Sequence, residues 1–203
     1  MKKLLSVMLI MGVFTALTLD KREAKMNIDK AELIDKERKI VDLIDEDLSN
    51  TIFDFNVDQT IESIQFNTYK LNDDKWNKIS GSGGYAFRED NGRIALNVEE
   101  LTDEMNIALQ SEHTNVSVNH TILLTDKLNN MNKVTAYLNH DMEIEYDKEI
   151  PLIILAFTIK NEISSYNIKH FNSPKEYKRL GYDYAYAVTV TFSQKTLSEF
   201  DRL

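Results

Sequence analysis

Along much of this chain apolar and polar positions alternate with a period of two, the pattern of strands that bury one face. The most regular stretch is DYAYAVTVTF, with Tyr184, Tyr186, Val188, Val190 and Phe192 on one side and Ala185, Ala187, Thr189 and Thr191 on the other. The same rule predicts strands in MNIAL (Met105, Ile107, Leu109), VSVNHTILL (Val116, Val118, His120, Ile122, Leu124), KVTAYL (Val134, Ala136, Leu138) and MEIEY (Met142, Ile144, Tyr146). IESIQFNTYKL places Ile64 and Phe66 on one face and Tyr69 and Leu71 on the other, which predicts a long strand with a kink or bulge. Asn72-Asp73-Asp74 then turns the chain into KWNKI.

In YAFREDNGRIALNV, Asn91-Gly92 is the pair favoured by a two-residue type I′ hairpin, whose central residues both need positive φ. That turn would set Asp90 opposite Arg93, Phe87 opposite Leu96 and Tyr85 opposite Val98, with the apolar residues on one face. Outside the first twenty residues every glycine, at 81, 83, 84, 92 and 181, is expected in a turn or cap.

EIPLIILAFTI breaks the alternation with an unbroken greasy run from Ile150, interrupted only by Thr158. It is about half the length of a membrane span, which needs roughly 20 apolar residues, and charged or polar neighbours hold both ends. Pro151 and the isoleucine content argue against a helix. The run therefore reads as a strand covered on both faces, placed centrally in a sheet.

Two segments have helical spacing. Leu33, Ile34, Ile40, Val41, Ile44 and Leu48 form an apolar stripe that predicts an amphipathic helix over residues 29 to 48, a candidate cover for the central strand. Ser173-Pro174-Lys175-Glu176 reads as a capping box with proline at the first helical position, opening a short helix near 174–180 that Gly181 stops. About 8–10 short strands separated by turn signals describe a mainly β fold, a two-sheet antiparallel β-sandwich. The expected layout is a leader at 1–19, a charged helix or linker at 20–50 and the sandwich domain at 51–203.

MKKLLSVMLIMGVFTALTL has two lysines followed by an apolar run from Leu4 to Leu19, the form of a secretory signal peptide. An uncleaved anchor and a buried apolar N-terminus are the alternatives. The expected location is thus secreted or extracytoplasmic, free or held at the membrane by residues 4–19. A lack of cysteine removes thiol catalysis, thiolate zinc and iron–sulfur chemistry. A surplus of 33 acidic over 24 basic residues, net −9, repels nucleic acid and anionic bilayers alike. Membrane contact is expected only through the N-terminal segment.

Candidate chemistry is sparse. The histidines at 113, 120, 140 and 170 lack metal-ligand spacing, and no nucleophile elbow, phosphate loop or zinc-protease motif occurs; GSGGY at 81–85 has no following G-K-[ST]. No catalytic residue and no resident metal are assigned. Calcium is the one cofactor considered, because Asn72-Asp73-Asp74, Asp90-Asn91 and Asp141 supply oxygen ligands in turns. Trp76 and Tyr182 are the aromatics expected to be exposed for ligand stacking, and His140-Asp141 is the polar pair to watch.

A leader, a charged helix, the GRIAL hairpin, the KEIPL strand, the SPKEY helix and the closing AVTVTFSQK strand together resemble secreted β-sandwich proteins of Gram-positive bacteria, over roughly residues 50 to 195. The resemblance implies a β fold and export, and carries no activity. The expected function is a non-enzymatic binding or interaction domain of the bacterial cell envelope, acting through loops or a sheet edge on a protein or envelope component. The alternatives are an extracellular hydrolase drawing on His140, Asp141, Glu143 and His170, or a carrier of a small ligand. Neither a partner nor an oligomeric state is written in a recognisable motif.

Overall fold

A computed structural model describes residues 25–44, 48–81, 84–97, 104–121, 128, 130–161 and 167–200. In chain order its elements are β1 (Asn27–Lys30), α1 (Asp35–Ile44), a 3₁₀ turn (Leu48–Thr51), β2 (Ile52–Asn56), β3 (Ser63–Asn72), β4 (Lys75–Gly81), β5 (Tyr85–Ala86), β6 (Asn91–Asn97), β7 (Glu104–Gln110), β8 (Asn115–Thr121), β9 (Asn132–Tyr137), β10 (Met142–Glu143), β11 (Ile150–Thr158), a second 3₁₀ turn (Ile168–Asn172), α2 (Lys175–Leu180), β12 (Tyr184–Ser193) and α3 (Leu197–Phe200).

The strands form two antiparallel six-stranded sheets. Sheet one runs β10-β1-β2-β6-β7-β8; sheet two runs β4-β3-β12-β11-β9, with β5 alongside the start of β3. Between them lies one apolar cluster that includes Ile28, Phe53, Phe55, Ile94, Leu96, Ile107 and Leu109 from sheet one and Ile64, Phe66, Leu155, Val188, Val190 and Phe192 from sheet two. This is the β-sandwich that the alternation predicts, with more strands than expected because several are very short.

All nine residues of β11 are buried, between β12 and β9. Its register slips between Pro151 and Ile153, so Leu152 and Ile153 both join the main core while Ile154 and Ala156 face a second cluster on the outer side. That slip explains why the segment reads as a continuous run rather than an alternation. Each fully buried Leu, Ile or Phe is worth roughly 1.5–3 kcal/mol, so this one strand supplies a large part of the driving force.

Three expectations are corrected. First, residues 27–30 are a strand, paired on one side with β2 and on the other with β10, so the sandwich begins inside the segment expected to be a linker. The helix starts only at Asp35, where the Glu37 carboxylate accepts from the Ile34 N–H at 3.0 Å and Ile34 O accepts from the Arg38 N–H. Its apolar stripe does not cover β11: Ile34 and Ile40 are exposed, as is the neighbouring Leu43.

Second, Asn91-Gly92 is no hairpin. It opens β6, where Gly92 pairs with Phe55, while Tyr85 and Ala86 pair with β3 in the other sheet. Phe87 and Leu96 do share the core, but from opposite sheets. An alternating pattern records which side faces the core and cannot tell a neighbour in the sheet from a neighbour across the sandwich. Gly92 serves close approach instead: a Cβ there would stand 2.6 Å from Phe55 Cζ and 2.9 Å from Gln110 O. Val98 and Gly83 lie outside the described residues.

Third, α2 ends at Gly181 in the left-handed region (φ 83°) as expected, but its start has no side-chain cap. Glu176 pairs instead with Arg179, at 2.6 Å. Among the described residues no helix is long and apolar enough to cross a membrane.

Candidate functional site

The two sheets differ in what lies on their outer faces. On sheet two, Ile154, Ala156, Ala185 and Ala187 are covered by Ile168 and Tyr177 from the second 3₁₀ turn and α2, flanked by Tyr69, Leu71, Trp76, Phe171 and Tyr182. The alanines of β12 leave room for this cover. Trp76 stacks on Phe171 with ring centroids 5.3 Å apart, meets Tyr177 edge-on, and donates its indole N–H to the Phe171 carbonyl at 2.9 Å. Tyr182 packs against the same cluster, and burial pushes its hydroxyl pKa up. The aromatics expected to be an open stacking platform are therefore part of the lid that closes sheet two.

Beyond that lid the same face carries a polar knot around Glu149. Its Oε1 accepts from Asn67 Nδ2 at 2.8 Å and from the Tyr69 hydroxyl at 2.5 Å, and its Oε2 accepts from the Thr189 hydroxyl. Burial and the carboxylate together raise the Tyr69 pKa. Three donors on one carboxylate form a satisfied network that ties the entry of β11 across β12 to β3, and leave the carboxylate little capacity for a ligand.

Among the described residues, sheet one has a polar outer face with no apolar lid over it. Pairing fixes its rows: Glu143, Asn27, Asn56 and Asn91 lie side by side across β10, β1, β2 and β6. The next row holds Asp29, Asp54, Arg93, Gln110 and Asn115 across β1, β2, β6, β7 and β8. Farther along, Ala95 and Ala108 pair, and then Asn97 and Asn106. Asn56, Asn91, Asn97, Asn106, Gln110 and Asn115 are exposed, while the intervening Phe53, Phe55, Ile94, Leu96, Ile107 and Leu109 are buried in the core.

Arg93 organises this surface. Its Nε and Nη2 bind the two Asp54 oxygens at 2.6 and 3.0 Å, and its Nη1 reaches Glu37 Oε1 on α1 at 3.1 Å. The fork raises the guanidinium pKa, chiefly through Asp54, and pins α1 beside the rows. Next to it lies a trough of about 410 Å³ lined by Asp54, Asn56, Asn91, Arg93, Gln110 and Glu112 among others. With amide donors and acceptors, carboxylates and an already neutralised guanidinium, the surface suits a polar, uncharged or weakly cationic ligand.

Of the expected site residues, Glu143 and Asn91 stand in the rows of this face, and beside Asn27 lies Asp141. It accepts from Asn27 Nδ2 at 2.7 Å and pairs with Lys25 at 3.2 Å, and these two hold its carboxyl below the ordinary value. His140 sits beside it against Asn139. His170 lies across the molecule in the lid of sheet two, edge-on to Tyr177, so the set expected for hydrolysis does not converge. The turns expected to offer calcium ligands stand apart: Asp73-Asp74 at the β3–β4 turn, Asp90 at the entry of β6 and Asp141 before β10. Among the described residues no three metal-binding side chains gather. The side chain of His120 lies outside the described residues.

Comparison with protein-family models, curated proteins and solved structures finds no match to this chain. The amide rows were legible in principle: asparagine or glutamine recurs out of phase with the core residues in FDFN, NGRIALN, MNIALQ and NVSVN. Only the register shows that these positions share one surface.

Proposed function

We propose that the chain is an exported, non-enzymatic binding domain of the bacterial cell envelope, and that the outer face of sheet one is its binding surface. The observation that carries this reading is the asymmetry between the faces among the described residues: an apolar lid closes sheet two, while sheet one keeps a broad polar surface open. The leader sequence supports export. Side chains of the main cluster occupy the space between the sheets, which favours a surface site over carriage of a ligand inside.

The test is cosedimentation of the purified domain with envelope fragments from a Gram-positive bacterium, comparing wild type with the triple variant Asn56→Ala, Asn91→Ala and Gln110→Ala. The variant should bind at least about tenfold more weakly, an effect of ~1.4 kcal/mol spread over three exposed amides. Equal binding by a variant of unchanged circular dichroism would move the site elsewhere.

A further inference from the structure

We propose that the ligand of this face is a neutral, unbranched β-linked glycan, lying across the strands of sheet one; the inference rests on the binding surface assigned above. Three features point to it. The first is chemical. An amide offers a donor and an acceptor in one plane, so Asn56, Asn91 and Gln110 match adjacent sugar hydroxyls or acetamido groups, which themselves both donate and accept.

The second feature is spacing. Neighbouring strands stand about 4.8 Å apart, close to the length of one pyranose ring, and side chains on one face of a strand repeat every ~7 Å. A glycan running along the row of Asn27, Asn56 and Asn91 would therefore set successive rings over successive strands. The trough of about 410 Å³ beside that row is of the size of a small-ligand cleft and holds a short run of rings.

The third feature is what the face lacks. Asp29, Asp54, Asp141 and Glu143 stand on or beside the rows, and the guanidinium of Arg93 is already held by Asp54 and Glu37, so a polyanion is repelled. A tight protein partner would need an apolar, aromatic centre. Among the described residues the large exposed apolar side chains are Ile34, Ile40, Leu43, Tyr146 and Ile159, none of which stands in these rows. Without a stacking ring, single-site affinity is weak and grows with chain length.

Chitohexaose titrated into ¹⁵N-labelled protein is the direct probe, with chitobiose and hexametaphosphate as comparison arms. Chitohexaose should shift backbone amides of β2, β6 and β7, bind at least about fivefold more tightly than chitobiose, and lose about fivefold in the variant Asn91→Ala/Gln110→Ala. Shifts confined to other elements, or stronger binding of hexametaphosphate, would overturn the proposal. Envelope fragments separate its failure from that of the broader reading. Binding that survives protease but not a muramidase supports the glycan. Binding that survives muramidase but not protease leaves the surface in place and makes the partner a protein. No binding to intact fragments overturns both.

Discussion

Trp76 and Phe171, from segments far apart in sequence, are locked together twice: their rings stack at 5.3 Å and the indole N–H of Trp76 donates to the Phe171 carbonyl. The contact fastens the lid to the edge of sheet two. Trp76→Ala should destabilise the fold by about 2–4 kcal/mol, and Trp76→Phe by about 1 kcal/mol for the lost hydrogen bond. Because Trp76 is the one tryptophan in the chain and both variants lack it, far-ultraviolet circular dichroism followed through a urea titration reads the loss in all three proteins. A Trp76→Ala variant as stable as wild type would show that the lid contributes nothing.

The two faces of β11 should cost alike. Leu155→Ala opens a cavity in the main core and Ile154→Ala one beneath the lid, each expected to cost about 2–5 kcal/mol. Ile154→Asp or Leu155→Asp should give no folded protein, judged by soluble yield and near-ultraviolet circular dichroism.

Gly92 distinguishes two physical demands. In a type I′ turn alanine would fail on φ, whereas here it fails because a Cβ meets Phe55 Cζ at 2.6 Å. Gly92→Ala should therefore cost about 1–3 kcal/mol, and Phe55→Leu should recover part of that cost in a double-mutant cycle. Additive losses would rule out the steric account.

Arg93 should control α1 more than the sandwich. Arg93→Met leaves the core untouched but frees Glu37 from the sheet, so hydrogen exchange over residues 35–44 should quicken while the global stability falls by only about 1 kcal/mol. A global loss several times larger would mean that the fork supports the sheet itself.

Glu89 gives the molecule a defined acid sensitivity. Its carboxylate accepts from Ser111 Oγ at 2.5 Å, Thr114 Oγ1 at 2.8 Å and the His113 N–H at 3.0 Å, and these bonds, Ser111 first, lower its pKa from 4.5 to about 2. A depressed acid stabilises the fold fully above its unfolded value. That contribution is lost as pH falls from about 4.5 toward 2. Urea midpoints measured between pH 6 and 3 should decline less steeply for Glu89→Gln than for wild type; parallel curves would remove Glu89 from the account.

The fold was legible wherever one strand faces one core. The phases of β3, β7 and β12 follow from their residues, and the doubly covered β11 follows from its lack of phase. Partnership was not legible. Phe87 and Leu96 carry the same signal whether they meet within a sheet or across the sandwich, and the Asn91-Gly92 pair tipped the reading toward a turn. The stripe of α1 points inward on paper, yet its Ile34 and Ile40 stay exposed, and Ile168 and Tyr177 from the second 3₁₀ turn and α2 cover the second sheet instead. Trp76 seemed free for the same reason: its partner Phe171 lies in a turn that no periodicity predicts. Asparagines score as surface in any reading, and their alignment into rows exists only once the register of five strands is known.

The first strand sits between β2, which follows it closely, and β10, which comes from near the other end of the sandwich. As the chain leaves the ribosome, Ile28 can pair with Phe55 early, but its other side waits for Met142. Sheet one therefore stays open at that edge until most of the polypeptide has emerged, and its closure is a long-range, late step. A nascent domain halted before residue 142 would present β1 as a bare edge to any passing strand, so a chaperone that guards the emerging chain has its most urgent work there.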